Sequence, residues 1–160
     1  MKVLDTQLAP LLKFLDGYYA KAPALPKGGK DFIVKASPWL SLLGAVFALW
    51  AAYVAYQAMS WANAIVNSPF YQAYAPKTAA GFSITIWLSI AVLLVWAVIY
   101  LLAFSPLKAG KVKGWNLILY GMLLNVVANV VSLSVFSVIS SLIGFLIGYY
   151  FLYQVKSYYK

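Results

Sequence analysis

GWNLILYGMLLNVVANVVSLSVFSVISSLIGFLIGYYFLYQV, from Gly114 to Val155, contains no charged residue, and its length decides the fold. A spanning helix needs about 20 apolar residues to cross a hydrocarbon core of about 30 Å. A single helix from Leu117 to Tyr153 would run about 55 Å, so the run must break. The polar, β-branched patch Ser132-Leu133-Ser134-Val135-Phe136-Ser137 is the expected place. It divides the run into spans near Trp115 to Val131 and Val138 to Tyr153, joined by a tight turn; a re-entrant segment is the alternative.

Two more uncharged stretches lie upstream, Ala36 to Pro76 and Thr78 to Leu107. Each holds one span, near Pro38 to Met59 and near Phe82 to Phe104, the latter ended by Ser105-Pro106. Between them Ser60 to Ala80 is polar and aromatic, with Asn63, Asn67, Ser68, Pro69 and Pro76. The chain is 64% hydrophobic and 9% charged, whereas a soluble domain carries about 25% charged residues. The expected fold is all-α: an integral membrane protein with four transmembrane helices over residues 38–160, preceded by an N-terminal segment over 1–37.

Positive charge orients the spans, because basic loops stay in the cytoplasm. Lys2, Lys13, Lys21, Lys27, Lys30 and Lys35 precede the first span, Lys108, Lys111 and Lys113 fill the second loop, and Lys156 and Lys160 follow the fourth. The first loop has only Lys77 and the third has none. Both ends inside satisfies every loop. The net charge of +9 is spread over these loops and is read as a topology signal, with no nucleic-acid partner. Trp39, Trp61, Trp115 and the Tyr149, Tyr150, Tyr153 cluster fall where interfacial anchors belong. Trp50 and Trp96 fall near mid-span, where they pack or face lipid.

The segment over 1–37 differs. Val3, Leu4, Leu8, Leu11, Leu12, Phe14, Leu15, Tyr18 and Tyr19 recur at helical spacing among Lys2, Asp5, Lys13 and Asp16, an amphipathic stripe. It is too polar to span and lacks the apolar core and cleavage site of a signal peptide. Pro10 places the helix start near Ala9 or kinks it there. Ala22 to Pro26 reads as a rigid connector and Gly28-Gly29 as a flexible joint. The helix is expected to lie on the anionic cytoplasmic leaflet or to dock onto a partner protein.

Small residues allow helices to approach in lipid. Gly44, Ala48 and Ala52 form such a line on the first span, and Ser140, Gly144 and Gly148 on the fourth; these are contact faces within the bundle or between copies. The sharpest polar feature is on the third span, where Asn125 and Asn129 share a face with Ser132. An unpartnered amide in hydrocarbon costs several kcal/mol, so this face must meet protein or water. One reading is an interhelical clamp to Ser83, Thr85 or Ser89, or to Ser140 and Ser141. The other is a lining for a substrate or ion.

The spans contain no Asp, Glu, His, Lys, Arg or Cys. General acid–base catalysis, metal and haem ligation and intramembrane proton relays all require such groups. No enzyme, metal or cofactor is expected. Lys108, Lys111 and Lys113, with Gly110 and Gly114 as joints, are expected to contact lipid headgroups, with Trp115 anchoring the next span.

The runs Phe104 to Leu117, Ile147 to Lys160 and Ala20 to Lys27 resemble an uncharacterised family of small four-span bacterial membrane proteins, seen in cyanobacteria and small-genome lineages, some labelled chromate transporters. The resemblance brings no catalytic or binding residue. It implies a bacterial inner membrane, or a thylakoid membrane in a cyanobacterium. The expected function is that of a non-catalytic structural or accessory subunit, with a partner membrane protein or further copies of itself. The alternative is a small oligomeric passive transporter or channel using the Asn125–Asn129 face.

Overall fold

The computed structural model describes residues 2–74, 80–131 and 135–160, with side chains over 9–71, 73, 86–130 and 135–160. Ser132, the Ser132-Leu133-Ser134 part of the expected break and Lys77 lie outside the described residues, as do the side chains of Ser83 and Thr85. Among the described residues every regular element is helical: α1 (Lys2–Tyr19), α2 (Lys27–Val66), α3 (Pro69–Tyr74), α4 (Ala80–Lys108), α5 (Val112–Val131) and α6 (Val135–Val155), followed by a 3-10 turn at Lys156–Tyr158. Three stretches are long and apolar enough to cross a membrane, Lys27–Val66, Ile86–Lys108 and Val135–Tyr158. The remaining long helix, α5, has 20 residues and carries Lys113, Asn116, Asn125 and Asn129.

Two helix ends depart from the sequence expectation, each for a local reason. α2 does not begin at Pro38. It begins at Lys27 behind an extended Pro26, runs 40 residues and takes Gly28 and Gly29 into its first turn, so they are no joint. Pro38 has no N–H for the carbonyl of Val34. The Ser37 hydroxyl donates to that carbonyl instead, at 2.9 Å, and Ser41 donates to the Pro38 carbonyl at 2.7 Å. α1 runs from Lys2 through Pro10, the alternative in which the proline lies inside the helix. α4 does not stop at Ser105-Pro106 but continues to Lys108. It is ended by Gly110 at φ +64, where Lys111 N–H donates to the Pro106 carbonyl and Gly110 N–H to that of Leu107. That pair of bonds is a Schellman cap, which needs the left-handed residue glycine tolerates.

The long helices pack as an antiparallel series. Trp39 meets the edge of Phe104 at 5.8 Å and Tyr56 that of Trp87 at 6.5 Å. Between those pairs a Cβ on Gly44 would stand 3.1 Å from the Tyr100 ring. Ala45, Ala48 and Ala52 are buried, so the small-residue line of α2 serves packing within the monomer. α5 folds back on α4, and α6 on α5. The first of these turns is unusually close: a Cβ on Gly114 would stand 2.6 Å from the Leu107 backbone nitrogen. Gly114 is therefore a contact point inside α5 rather than a joint.

The packed core sits at the end that carries the lysines. Leu15, Tyr19, Ala103, Leu107, Trp115, Leu119, Phe145, Tyr149, Val155 and Tyr159 form one buried cluster there. Trp115 is 3% and Tyr149 0% exposed, so neither is an interfacial anchor. The Trp115 indole N–H donates to the Leu152 carbonyl at 2.9 Å, a bond within the protein where an anchor would reach for headgroups. Trp115→Phe should lower the thermal midpoint by the equivalent of ~1 kcal/mol, read from unfolding in detergent.

Candidate functional site

A cavity of about 330 Å³ opens between α4, α5 and α6, in the half of the bundle away from the lysines. Asn125 and Asn129 face it from α5, Ser140, Ser141 and Gly144 from α6, and Trp96 from α4. Asn129 Nδ2 donates to the Asn125 main-chain oxygen at 2.8 Å and reaches its Oδ1 at 3.3 Å. The two amides thus brace each other along one turn. Ser140 and Ser141 donate to the carbonyls of Ser137 and Val138 in their own helix, and each keeps oxygen lone pairs for an acceptor role. The donors expected in an interhelical clamp are spent locally in these serines.

One buried N–H group is left over at the cavity among the described residues. The Trp96 indole nitrogen is buried without a partner among the described residues. It lies against α5 where a Cβ on Gly121 would be 3.2 Å away, and its ring packs at a tilt against Tyr100, 5.3 Å between centroids. A buried donor left unmet costs about 1–3 kcal/mol, so water or a bound molecule offering an oxygen would gain by entering. No charged residue lines the cavity, which suits a neutral occupant; an ion without a counter-charge would be costly. Trp96 was not legible as part of this site. Its mid-span position is visible in the sequence, but the facing Gly121 that admits the indole belongs to another helix and is brought to it only by the packing of α4 on α5.

Gly144 borders this space, with nothing within 4 Å of a Cβ placed on it, whereas Gly148 does not. A Cβ there would stand 2.5 Å from Met122 Cε. The line Ser140, Gly144, Gly148 is thus split: an exposed serine, a glycine on the cavity, and a glycine covered by a methionine.

The lysine end has its own cluster. Asp16 of α1 accepts from the Tyr149 hydroxyl at 2.7 Å and pairs with Lys156 at 2.6 Å, while Lys156 lies 5.4 Å over the Trp115 ring. Tyr19 donates to the Leu146 carbonyl at 2.8 Å. The connector follows the same path: the Pro23 carbonyl accepts from Tyr150 and Gln154, and Gln154 accepts from Leu25 N–H. The inner face of α1 is therefore docked on α6 of its own chain, and only its outer face is left for lipid or a partner.

The tail is tied in as well. Lys160 N–H donates to the Gly110 carbonyl, and Val112 N–H to that of Lys160. Lys108, Lys111, Lys113 and Lys160 share one exposed platform as a result. Tyr158 stands beside Asp31 of α2. Burial raises the pKa of Tyr159 above the ordinary phenol value, and this residue shares a 2.8 Å hydrogen bond with Ser37. The Tyr159 phenol stays protonated at neutral pH and holds the tail against α2.

No protein-family model, curated protein or solved structure matches this chain.

Proposed function

We propose that this is a non-catalytic membrane protein with four spans, α5 among them, and both ends in the cytoplasm, which takes a small neutral polar solute into the cavity at Asn125, Asn129 and Trp96 for passive passage. The supporting observation is the buried, unmet Trp96 indole N–H, beside the Asn125–Asn129 pair, at a cavity with no charge in its lining. The gathering of Lys27, Lys30, Lys35, Lys108, Lys111, Lys113, Lys156 and Lys160 at one end of the bundle supports the orientation, with Lys108, Lys111 and Lys113 on the anionic leaflet. The membrane is a bacterial inner membrane, or a thylakoid membrane in a cyanobacterium.

The test is glycerol and urea entry into liposomes carrying the purified chain. Flux should exceed that of protein-free vesicles, and Asn125→Leu should bring it down to their level while the protein still elutes as the wild type does. A variant that unfolds would mean that Asn125 holds the fold together, and unchanged flux would remove it from the path.

A second reading, an accessory subunit of a larger assembly, is favoured by the outer face of α1. Phe14 and Tyr18 are 73% and 70% exposed there, beside Leu11. A stoichiometric partner recovered in mild detergent and lost from Phe14→Ser/Tyr18→Ser would support it.

A further inference from the structure

A second cavity, of about 250 Å³, lies on the lysine side of the first, where α2, α4, α5 and α6 converge. It is mostly apolar, with Tyr100, Ser41 and the Ser37–Tyr159 hydrogen bond as its polar points. Met122 lines both cavities. Its methyl group occupies the space that any side chain at position 148 would need, 2.5 Å from a Cβ built there. The Met122 side chain therefore reaches across the α5–α6 seam and rests on the bare backbone of Gly148.

We propose that Met122 is the gate of the solute path, closing the polar cavity from the inner one by resting on Gly148. The proposal rests on the solute-passage reading above. Methionine suits the task because it is unbranched and turns about three side-chain bonds, so the seam can open without moving either helix. Glycine at 148 provides the seat, since the Cβ of any larger residue would push the methionine methyl off it. On either side of the gate a solute meets hydrogen-bonding groups stacked along α4, the Trp96 indole and then Tyr100 one turn on, whose rings are 5.3 Å apart. Neither cavity has a charged residue in its lining, so the class of solute is a small uncharged polyol or amide.

Full-length protein in liposomes, with glycerol entry followed by stopped-flow light scattering, tests the gate. Met122→Ala should raise the flux about tenfold over the wild type, equal to ~1.4 kcal/mol of barrier. Gly148→Ala keeps the methionine but removes its seat, and should shift the flux in the same direction. Trp96→Phe should lower the wild-type flux. If either position-122 or position-148 variant folds and conducts no more than the wild type, while Trp96→Phe still lowers the flux, the path stands and the gate is overturned. If every protein, wild type included, matches protein-free vesicles, the solute-passage reading fails and takes the gate with it.

Discussion

Gly114→Ala should destabilise the protein by about 1–3 kcal/mol, the range for forcing an extra carbon into a packed site. The sign is informative. Glycine to alanine inside a helix ordinarily stabilises by about 1 kcal/mol, and α5 is already helical at this position. Here the new methyl would meet the Leu107 backbone nitrogen at 2.6 Å and its Cα at 3.0 Å. Backbone atoms of a capped helix end cannot swing aside as a side-chain tip can, so the α4–α5 turn must open. Thermal unfolding in detergent, followed by far-UV circular dichroism, reads the change. Gly144→Ala is the matched control. Nothing lies within 4 Å of its added carbon, and it should hold or raise the midpoint. Equal midpoints for Gly114→Ala and the wild type would refute the close approach of α4 and α5.

Asp16→Leu should release α1 from α6. The substitution leaves the fully buried Tyr149 hydroxyl without its acceptor and Lys156 without its counter-charge. The two contacts are unequal. Lys156 is 45% and Asp16 29% exposed, so the ion pair itself contributes no more than about 1 kcal/mol. The hydroxyl to a charged acceptor is the larger part, and losing it in a buried position costs about 2 kcal/mol. Asp16→Asn keeps an acceptor for Tyr149 and should fall between wild type and Asp16→Leu. Backbone hydrogen exchange over residues 9–26 reads the release directly: exchange should quicken there in Asp16→Leu while α4 and α5 keep their protection. Unchanged exchange would mean that the Tyr19 bond to Leu146 and the Gln154 contacts to the connector hold α1 unaided.

The apolar runs made the long helices legible, because hydrocarbon thickness sets a length scale that any uncharged stretch can be measured against. Division of the last run is seen as α5 ending at Val131 and α6 starting at Val135. The Asn125–Asn129 face was legible too, since two amides one turn apart must share a surface. What escaped depends on partners far along the chain. Asp16 meets residues 149 and 156, and the stripe of α1 by itself suits a lipid surface as well as a protein one. Trp115 has the position of an anchor, and only the docking of Leu152 beside it makes it core. Pro38 resembles a helix start until Ser37 is seen to supply the missing donor. A serine directly before a proline in an apolar run is a local signal that would have found it.

The central claim is that the Asn125–Asn129 cavity is wet and reached from the face opposite the lysines. The chain has no cysteine, so one introduced thiol can be probed without background. Gly144→Cys places it on the cavity, where there is room for it, and Ile143→Cys places it on the adjoining exposed apolar surface. Thiols react as thiolates, which form in water and not in hydrocarbon. A small membrane-impermeant thiol reagent added to the non-cytoplasmic side of the membrane should label Gly144→Cys and spare Ile143→Cys. Equal protection of both positions would contradict the account, because the cavity would then be dry and no solute could use it.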